Sequence, residues 1–214
     1  MQHSKALKEG ELFFRQWLRS PKSMGSVIPS SRYLAHAVAD VVAWRPGQYI
    51  VELGGGTGCF AHEAGADPKR KIVCSELDQA ALLWAKAHRS RPNIEYVDRM
   101  LTPGDGPFDL VVAVDVIEHL SRFQEFLELC TKLAPRAILT TPNRARDSTA
   151  MQASPPAYAQ HVREWTCGEF YWVLRVFYRS VRMYSMPNPY VPQVVPVRID
   201  TRLTPLIAVC EQPL

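Results

Sequence analysis

Four glycines stand within five positions, Gly54, Gly55, Gly56 and Gly58, directly behind the apolar run Tyr49–Leu53. A glycine loop between a strand and a helix lets the backbone approach a ligand closely, at the carboxyl edge where α/β sheets bind small molecules. The spacing Gly56-x-Gly58-x-x-Ala61, with Glu76 further on, formally meets a dinucleotide fingerprint. Glu52, two residues ahead of the first glycine, argues for a different ligand. A carboxylate there repels a pyrophosphate and suits a molecule carrying an ammonium group. Glu76 and Asp98 close two further apolar runs, Lys71–Ser75 and Ile94–Val97. Acids at three adjacent strand ends can accept from an ammonium, a ribose diol and an exocyclic amine, and such charge-assisted bonds are the strong ones.

A second group of reactive side chains lies downstream. Asp115, Glu118 and His119 follow the apolar run 108–114, and His161 stands further along. Histidine titrates near neutrality, so His119 and His161 are the candidate bases for a hydroxyl acceptor. Two imidazoles and two carboxylates also have the ligand chemistry for a divalent ion. Glu118 and His119 at the start of the next helix need no ion, however, and no metal is expected.

Val51-Glu52-Leu53-Gly54-Gly55-Gly56-Thr57-Gly58 resembles motif I of the class I S-adenosylmethionine-dependent methyltransferases. The resemblance runs over residues 48–211. Ile72-Val73-Cys74-Ser75-Glu76-Leu77-Asp78 is similar to their second strand, whose terminal acid holds the ribose hydroxyls, and Ile94-Glu95-Tyr96-Val97-Asp98 to the third, whose acid meets the adenine amino group. Residues 108–120, through Asp115, resemble the fourth-strand motif. Leu139-Thr140-Thr141-Pro142-Asn143 resembles the end of the fifth strand, and His161-Val162-Arg163-Glu164-Trp165-Thr166 the segment before the last helix. These motifs in order imply an α/β Rossmann-like fold: a seven-stranded, mostly parallel sheet with an antiparallel last strand and helices on both faces. They imply an enzyme that uses S-adenosylmethionine, held by Glu52, Gly54, Gly56, Gly58, Glu76, Leu77, Asp98, Arg99 and Asp115, with His119 and His161 as the catalytic pair.

The acceptor is written in a mixture of likenesses. Residues 13–32 resemble the opening segment of the PmtA-type phospholipid N-methyltransferases, whereas the second half resembles the UbiG-type small-molecule methyltransferases. Asp115-x-x-Glu118-His119 with His161 resembles the metal constellation of the small-RNA 3′-end 2′-O-methyltransferases. The leading expectation is methyl transfer to an oxygen or nitrogen of a small-molecule or lipid-like acceptor. The alternatives are a metal-assisted RNA 2′-O-methyltransferase, a non-catalytic cofactor-binding protein of the same fold, and a nicotinamide oxidoreductase. No Asn-Pro-Pro-Tyr-like motif follows the fourth strand, so a flipped nucleic-acid base is not the expected substrate.

The elements that must position these residues are legible as alternation. Short β-branched runs at 49–53, 71–75, 94–97, 108–114 and 137–141 are separated by helical patterns after Gly58, at 78–88 and at 121–133. Ser121-x-x-Gln124 and Thr166-x-x-Glu169 have the spacing of capping boxes. Two late strands, 180–185 and 206–211, are expected to form an antiparallel pair across a proline-rich loop. Ahead of the first strand, 4–20 and 32–42 read as helices. The first carries Phe13 and Trp17 among Lys5, Lys8, Arg15 and Arg19. Residues 1–45 are therefore read as a helical extension, a lid on the acceptor pocket or a peripheral contact with an anionic membrane; residues 46–214 are read as the catalytic domain.

At 214 residues, 47% hydrophobic and 21% charged, the chain has the make-up of one folded domain and not of a disordered segment. Five scattered cysteines without a Cys-x-x-Cys pair argue against a disulfide framework or a zinc knuckle. No apolar run is long enough to span a bilayer, and the first residues do not read as a secretory signal, so a cytoplasmic protein is expected. The net charge of +4 permits an anionic partner without demanding one.

Overall fold

The parallel strands are rich in β-branched and aliphatic residues, and three of them stop at Gly54, Asp98 or Pro142. The computed structural model describes residues 32–146, 155, 156, 158 and 160–214. Helix α1 (Arg32–Val41) leads into β1 (Tyr49–Leu53), α2 (Cys59–Ala64), β2 (Lys71–Ser75), α3 (Gln79–His88) and β3 (Ile94–Val97). Then come β4 (Leu110–Ala113), α4 (Phe123–Leu133), β5 (Arg136–Thr141), α5 (Cys167–Arg175), β6 (Tyr178–Ser185), β7 (Val195–Pro196) and β8 (Leu206–Pro213). The predicted helix at 4–20 lies outside the described residues.

The sheet order is β3-β2-β1-β4-β5-β8-β6-β7. Strands β1 to β5 pair in parallel, and β8 runs antiparallel to both β5 and β6. The expected sheet of seven strands thus gains an eighth, because two residues of the proline-rich loop pair with Tyr184 and Ser185 at the edge of β6. So short a pairing has no alternation to read, and Pro196 is tolerated there because an edge strand leaves one side unpaired.

Alternate residues of the central strands go to opposite faces. Val51, Leu53, Val111 and Ala113 join α4 and α5 in one buried cluster, while Ile50, Leu110, Val112 and Val114 join α1 and α2 in the other. Burial of each large aliphatic side chain contributes about 1.5–3 kcal/mol, so both faces hold the strand ends in place. Leu34, Ala35, Ala37 and Val38 of α1 are part of the second cluster, which packs this helix on the sheet domain.

The two capping boxes fare differently. Thr166 N–H donates to Glu169 Oε2 at 2.8 Å, Glu169 N–H donates back to Thr166 Oγ1 at 3.3 Å, and α5 starts there. The box expected at Ser121 does not form: Arg122 is the N-cap of α4 and gives no side-chain cap. The chain arrives from a 3-10 turn over Ile117–His119, with Leu120 N–H bonded back to Ile117, and this delays the helix.

Chain order reverses between β1 and β4, the position at which an open parallel sheet leaves a crevice beyond its carboxyl ends. The glycine loop follows β1, and Asp115, Glu118 and His119 follow β4.

Candidate active site

The glycine loop is fastened to β2 before it turns. Gly54 and Gly55 N–H both donate to the Ser75 carbonyl, at 2.8 and 3.1 Å. A Cβ on Gly55 would lie 2.2 Å from Cys74 Sγ, so the loop rests directly on the neighbouring strand. Gly56 combines φ +51° with nothing within 4 Å of a would-be Cβ. That open side leaves bare backbone that a ligand could approach closely. Gly54 packs on Val116, and Gly58, the N-cap of α2, packs on Tyr96.

Glu52 turns inward. It is 2% exposed, and its Oε2 accepts from Ala61 N–H at 3.0 Å and from the Cys74 thiol at 3.5 Å. The carboxyl expected to face an ammonium is spent on the start of α2, where it supports the loop from beneath. Burial raises its pKa from 4.5 to about 8, against the opposing effect of the Ala61 N–H. The fold therefore favours the protonated form. Its contribution to stability is fully present below 4.5 and is lost as pH rises toward and through 8. Glu52→Gln should flatten the decline in melting temperature between pH 5 and pH 9; an unchanged slope would assign the decline to other acids.

Glu76 is 8% exposed and ties the loop to the end of β2. Its Oε2 accepts from Gly56 N–H at 2.6 Å, and its Oε1 accepts from Leu77 and Asp78 N–H, both at 2.7 Å. Burial raises its pKa, while these backbone donors pull the other way. Asp98 and Arg99 lie exposed beyond β3. The Arg99 guanidinium holds Asp105 at 2.5 and 3.0 Å, which keeps that carboxyl well below the usual range. The Arg99 carbonyl accepts from Ser75 Oγ at 2.7 Å, joining the ends of β2 and β3. Glu52, the glycines and Glu76 thus form one bonded unit, with Leu77 bound to it through its N–H and Asp98 and Arg99 on its rim.

After β4 the backbone takes an uncommon turn. Asp115 has φ +53°, and its Oδ1 accepts from Thr140 Oγ1 at 2.7 Å while Thr140 accepts from Asp115 N–H at 2.9 Å. Three residues on, Glu118 is fully buried, and neither of its carboxylate oxygens has a hydrogen-bond partner among the described residues. Thr141 Oγ1 approaches it without completing a bond. Burial, and then the nearby Asp115 carboxyl, drive the Glu118 pKa well above its ordinary value.

The histidines meet beside it. His119 Nδ1 bonds the Gln160 carbonyl at 3.0 Å, and His161 Nδ1 bonds Glu164 Oε1 at 2.6 Å. The rings lie edge to face with centroids 4.9 Å apart. Burial lowers the His119 pKa and so favours its neutral, basic form. Glu164 is 3% exposed and lies 3.5 Å from Arg146 Nη2; its pKa is lowered, first by the His161 bond. Ligand-capable atoms of Glu118, His119 and His161 all lie within 4.8 Å of one another. Asp115 stands outside that group, engaged with Thr140. Sequence reading missed Glu164 and the Gln160 carbonyl. The i,i+3 spacing of His161 and Glu164 was the available signal for the first; a backbone carbonyl leaves none.

Residues 51–137 match the family model described as "Methyltransferase domain". A ubiquinone biosynthesis O-methyltransferase of a Caulobacter species is 26% identical over 126 residues, which are 56% of this chain and 49% of that protein. A probable S-adenosylmethionine-dependent methyltransferase of Mycolicibacterium smegmatis is 29% identical over 127 residues, 58% of this chain and 48% of its own. The chain spans about half the length of these curated relatives. Among solved structures, the methyltransferase domain of bacterial CtHen1 superposes with a TM-score of 0.65 at 19% identity, covering 86% of this chain and 98% of that one. The plantazolicin methyltransferase BpumL, in complex with a pentazolic desmethylPZN analog and SAH, gives 0.65 at 12% identity over 99% of both chains. The match over residues 51–137 and the solved structures support a Rossmann-like fold of the class I S-adenosylmethionine-dependent methyltransferases. No helix of the described residues is long and apolar enough to cross a membrane.

Proposed function

We propose that the chain moves the sulfonium methyl of S-adenosylmethionine to a hydroxyl oxygen of a small-molecule acceptor. The observation that carries this reading is the half-buried His119–His161 pair beside the buried Glu118 at the carboxyl end of β4, next to the strand that bears the glycine loop. Amine acceptors attack with a lone pair they already hold; a hydroxyl profits from a base in reach. The glycine loop and Glu76 hold the cofactor, with Leu77, Asp98 and Arg99 at its edge. The acceptor hydroxyl gives its proton to a histidine nitrogen, its oxygen attacks the methyl carbon, and the carbon–sulfur bond breaks to leave the thioether. Alignment of the two reactants supplies much of the acceleration, up to about 7–11 kcal/mol. The Caulobacter relative, named as an O-methyltransferase, supports the oxygen acceptor.

The test is incubation with methyl-labelled S-adenosylmethionine and extracts divided into small-molecule, lipid and RNA pools. Label in the small-molecule pool that survives base treatment and is released as methyl iodide by hot hydriodic acid, as an ether methyl is, fits the reading. Label confined to lipid would move the acceptor to a membrane substrate, and label in RNA would replace the reading outright.

The unpartnered Glu118 carboxylate favours an addition to the expected metal-free site. A buried acid with both oxygens unsatisfied, facing two imidazoles, fits a divalent cation held by Glu118, His119 and His161. Such an ion would supply Lewis acidity to an acceptor oxygen. Mn²⁺ should then bind one to one by calorimetry, and chelator should lower turnover at least about tenfold, restored by Mg²⁺ or Mn²⁺. Full activity in chelator and no Mn²⁺ heat would leave Glu118 as a buried neutral acid.

A further inference from the structure

The 160–166 segment is clamped from both sides. Val162 and Arg163 N–H donate to the Glu118 carbonyl at 2.8 and 3.2 Å, and Arg144 N–H donates to the Trp165 carbonyl at 2.9 Å. Asn143 and Trp165 form a bridge, and Thr166 caps α5. Glu164 therefore projects from a fixed backbone, is buried, and puts Oε1 2.6 Å from His161 Nδ1. An ionised carboxylate only accepts, so the nitrogen it bonds must carry the proton. The Gln160 carbonyl, also an acceptor only, imposes the same on His119 Nδ1. When either ring is in its neutral form, the lone pair is therefore left on Nε2.

We infer that Glu164 is a positioning residue of the active site: it locks His161 in the Nδ1–H tautomer, so that Nε2 is the atom that takes the acceptor proton or a cation. The Gln160 carbonyl does the same for His119, and the two rings act as a matched pair. This rests on the proposed methyl transfer for its consequence in turnover, and on geometry alone for the tautomer. A purely structural role, as the buried partner of Arg146, predicts something different: loss of stability without any change in the ring.

The experiment compares wild type, Glu164→Gln and Glu164→Asp, read by imidazole ¹⁵N NMR, with His161→Asn to assign the signals. Wild-type His161 should carry its proton on Nδ1. Glu164→Gln, whose amide can donate as well as accept, should move His161 population to the Nε2–H form. It should lower kcat about 10- to 100-fold with KM for S-adenosylmethionine unchanged, and weaken Mn²⁺ binding by a similar factor. Glu164→Asp should restore the tautomer and most of kcat. A wild-type His161 protonated on Nε2, or a Glu164→Gln protein with a lower melting temperature but the same tautomer and kcat, would overturn the inference. If wild type methylates no acceptor, the proposed function fails while the NMR result still decides the tautomer.

Discussion

His161→Ala should lower methyl-transfer turnover by about 100- to 10,000-fold, the span typical of a lost general base, and leave S-adenosylmethionine affinity unchanged. The separation follows from the sheet. The cofactor unit is built from the ends of β1 and β2, through the Glu76 bonds to Gly56, Leu77 and Asp78. His161 belongs to the segment clamped beyond β4 and β5. His119→Ala should give a loss of the same order. The double variant should be little worse than either single one, because groups that work as a unit lose their effect together. Steady-state rates with calorimetric cofactor affinity on the same samples read this directly. Retained turnover in both single variants would remove the imidazoles from the chemistry and leave an acceptor that needs no base. A parallel fall in cofactor affinity would show that the ring supports the loop instead.

Glu76→Ala should weaken S-adenosylmethionine binding by about 10- to 150-fold, the equivalent of about 1.5–3 kcal/mol for a charged hydrogen-bond partner. The carboxylate does two things that alanine undoes. It satisfies the N–H groups of Gly56, Leu77 and Asp78, which shapes the loop around the open side of Gly56. It also stands at the end of β2, where the resemblance assigns the ribose hydroxyls. Glu76→Gln keeps acceptor capacity without the charge, so its loss should be smaller than that of alanine. Circular dichroism confirms that each variant is folded, and calorimetry reads the affinity. A folded Glu76→Ala protein with wild-type affinity would place the ribose elsewhere.

Strands β1, β2 and β3 follow the hydrophobic runs residue for residue, because each run ends at a residue type that strands disfavour, Gly54, Glu76 or Asp98. The parallel order was legible for the same reason: continuous apolar strands separated by helical patterns must be covered on both faces. What sequence could not carry was direction. Glu52 has the right position for a ligand acid, yet its side chain follows the strand's alternation into the core and meets Ala61 and Cys74. Ser121 has the right spacing for a cap, yet the preceding 3-10 turn brings the chain in at the wrong point. Glu118 reads as the start of the next helix and instead lies fully buried in a 3-10 turn ahead of it. Long-range packing determines all three, and no local pattern contains it. Glu164 was passed over because an acid near a tryptophan has no meaning until β5 brings Trp165 beside Asn143.

The most direct measurement is calorimetric titration of the wild-type protein with S-adenosylmethionine and, separately, with NAD. The open side of Gly56 and the inward-facing Glu52 belong to the unit that also carries Glu76, the acid proposed to hold the ribose. S-adenosylmethionine should bind one to one with an affinity that Glu76→Ala reduces, and NAD should give no saturable heat. Saturable NAD binding at this loop, or no binding of S-adenosylmethionine by folded protein, would contradict the assignment of the site.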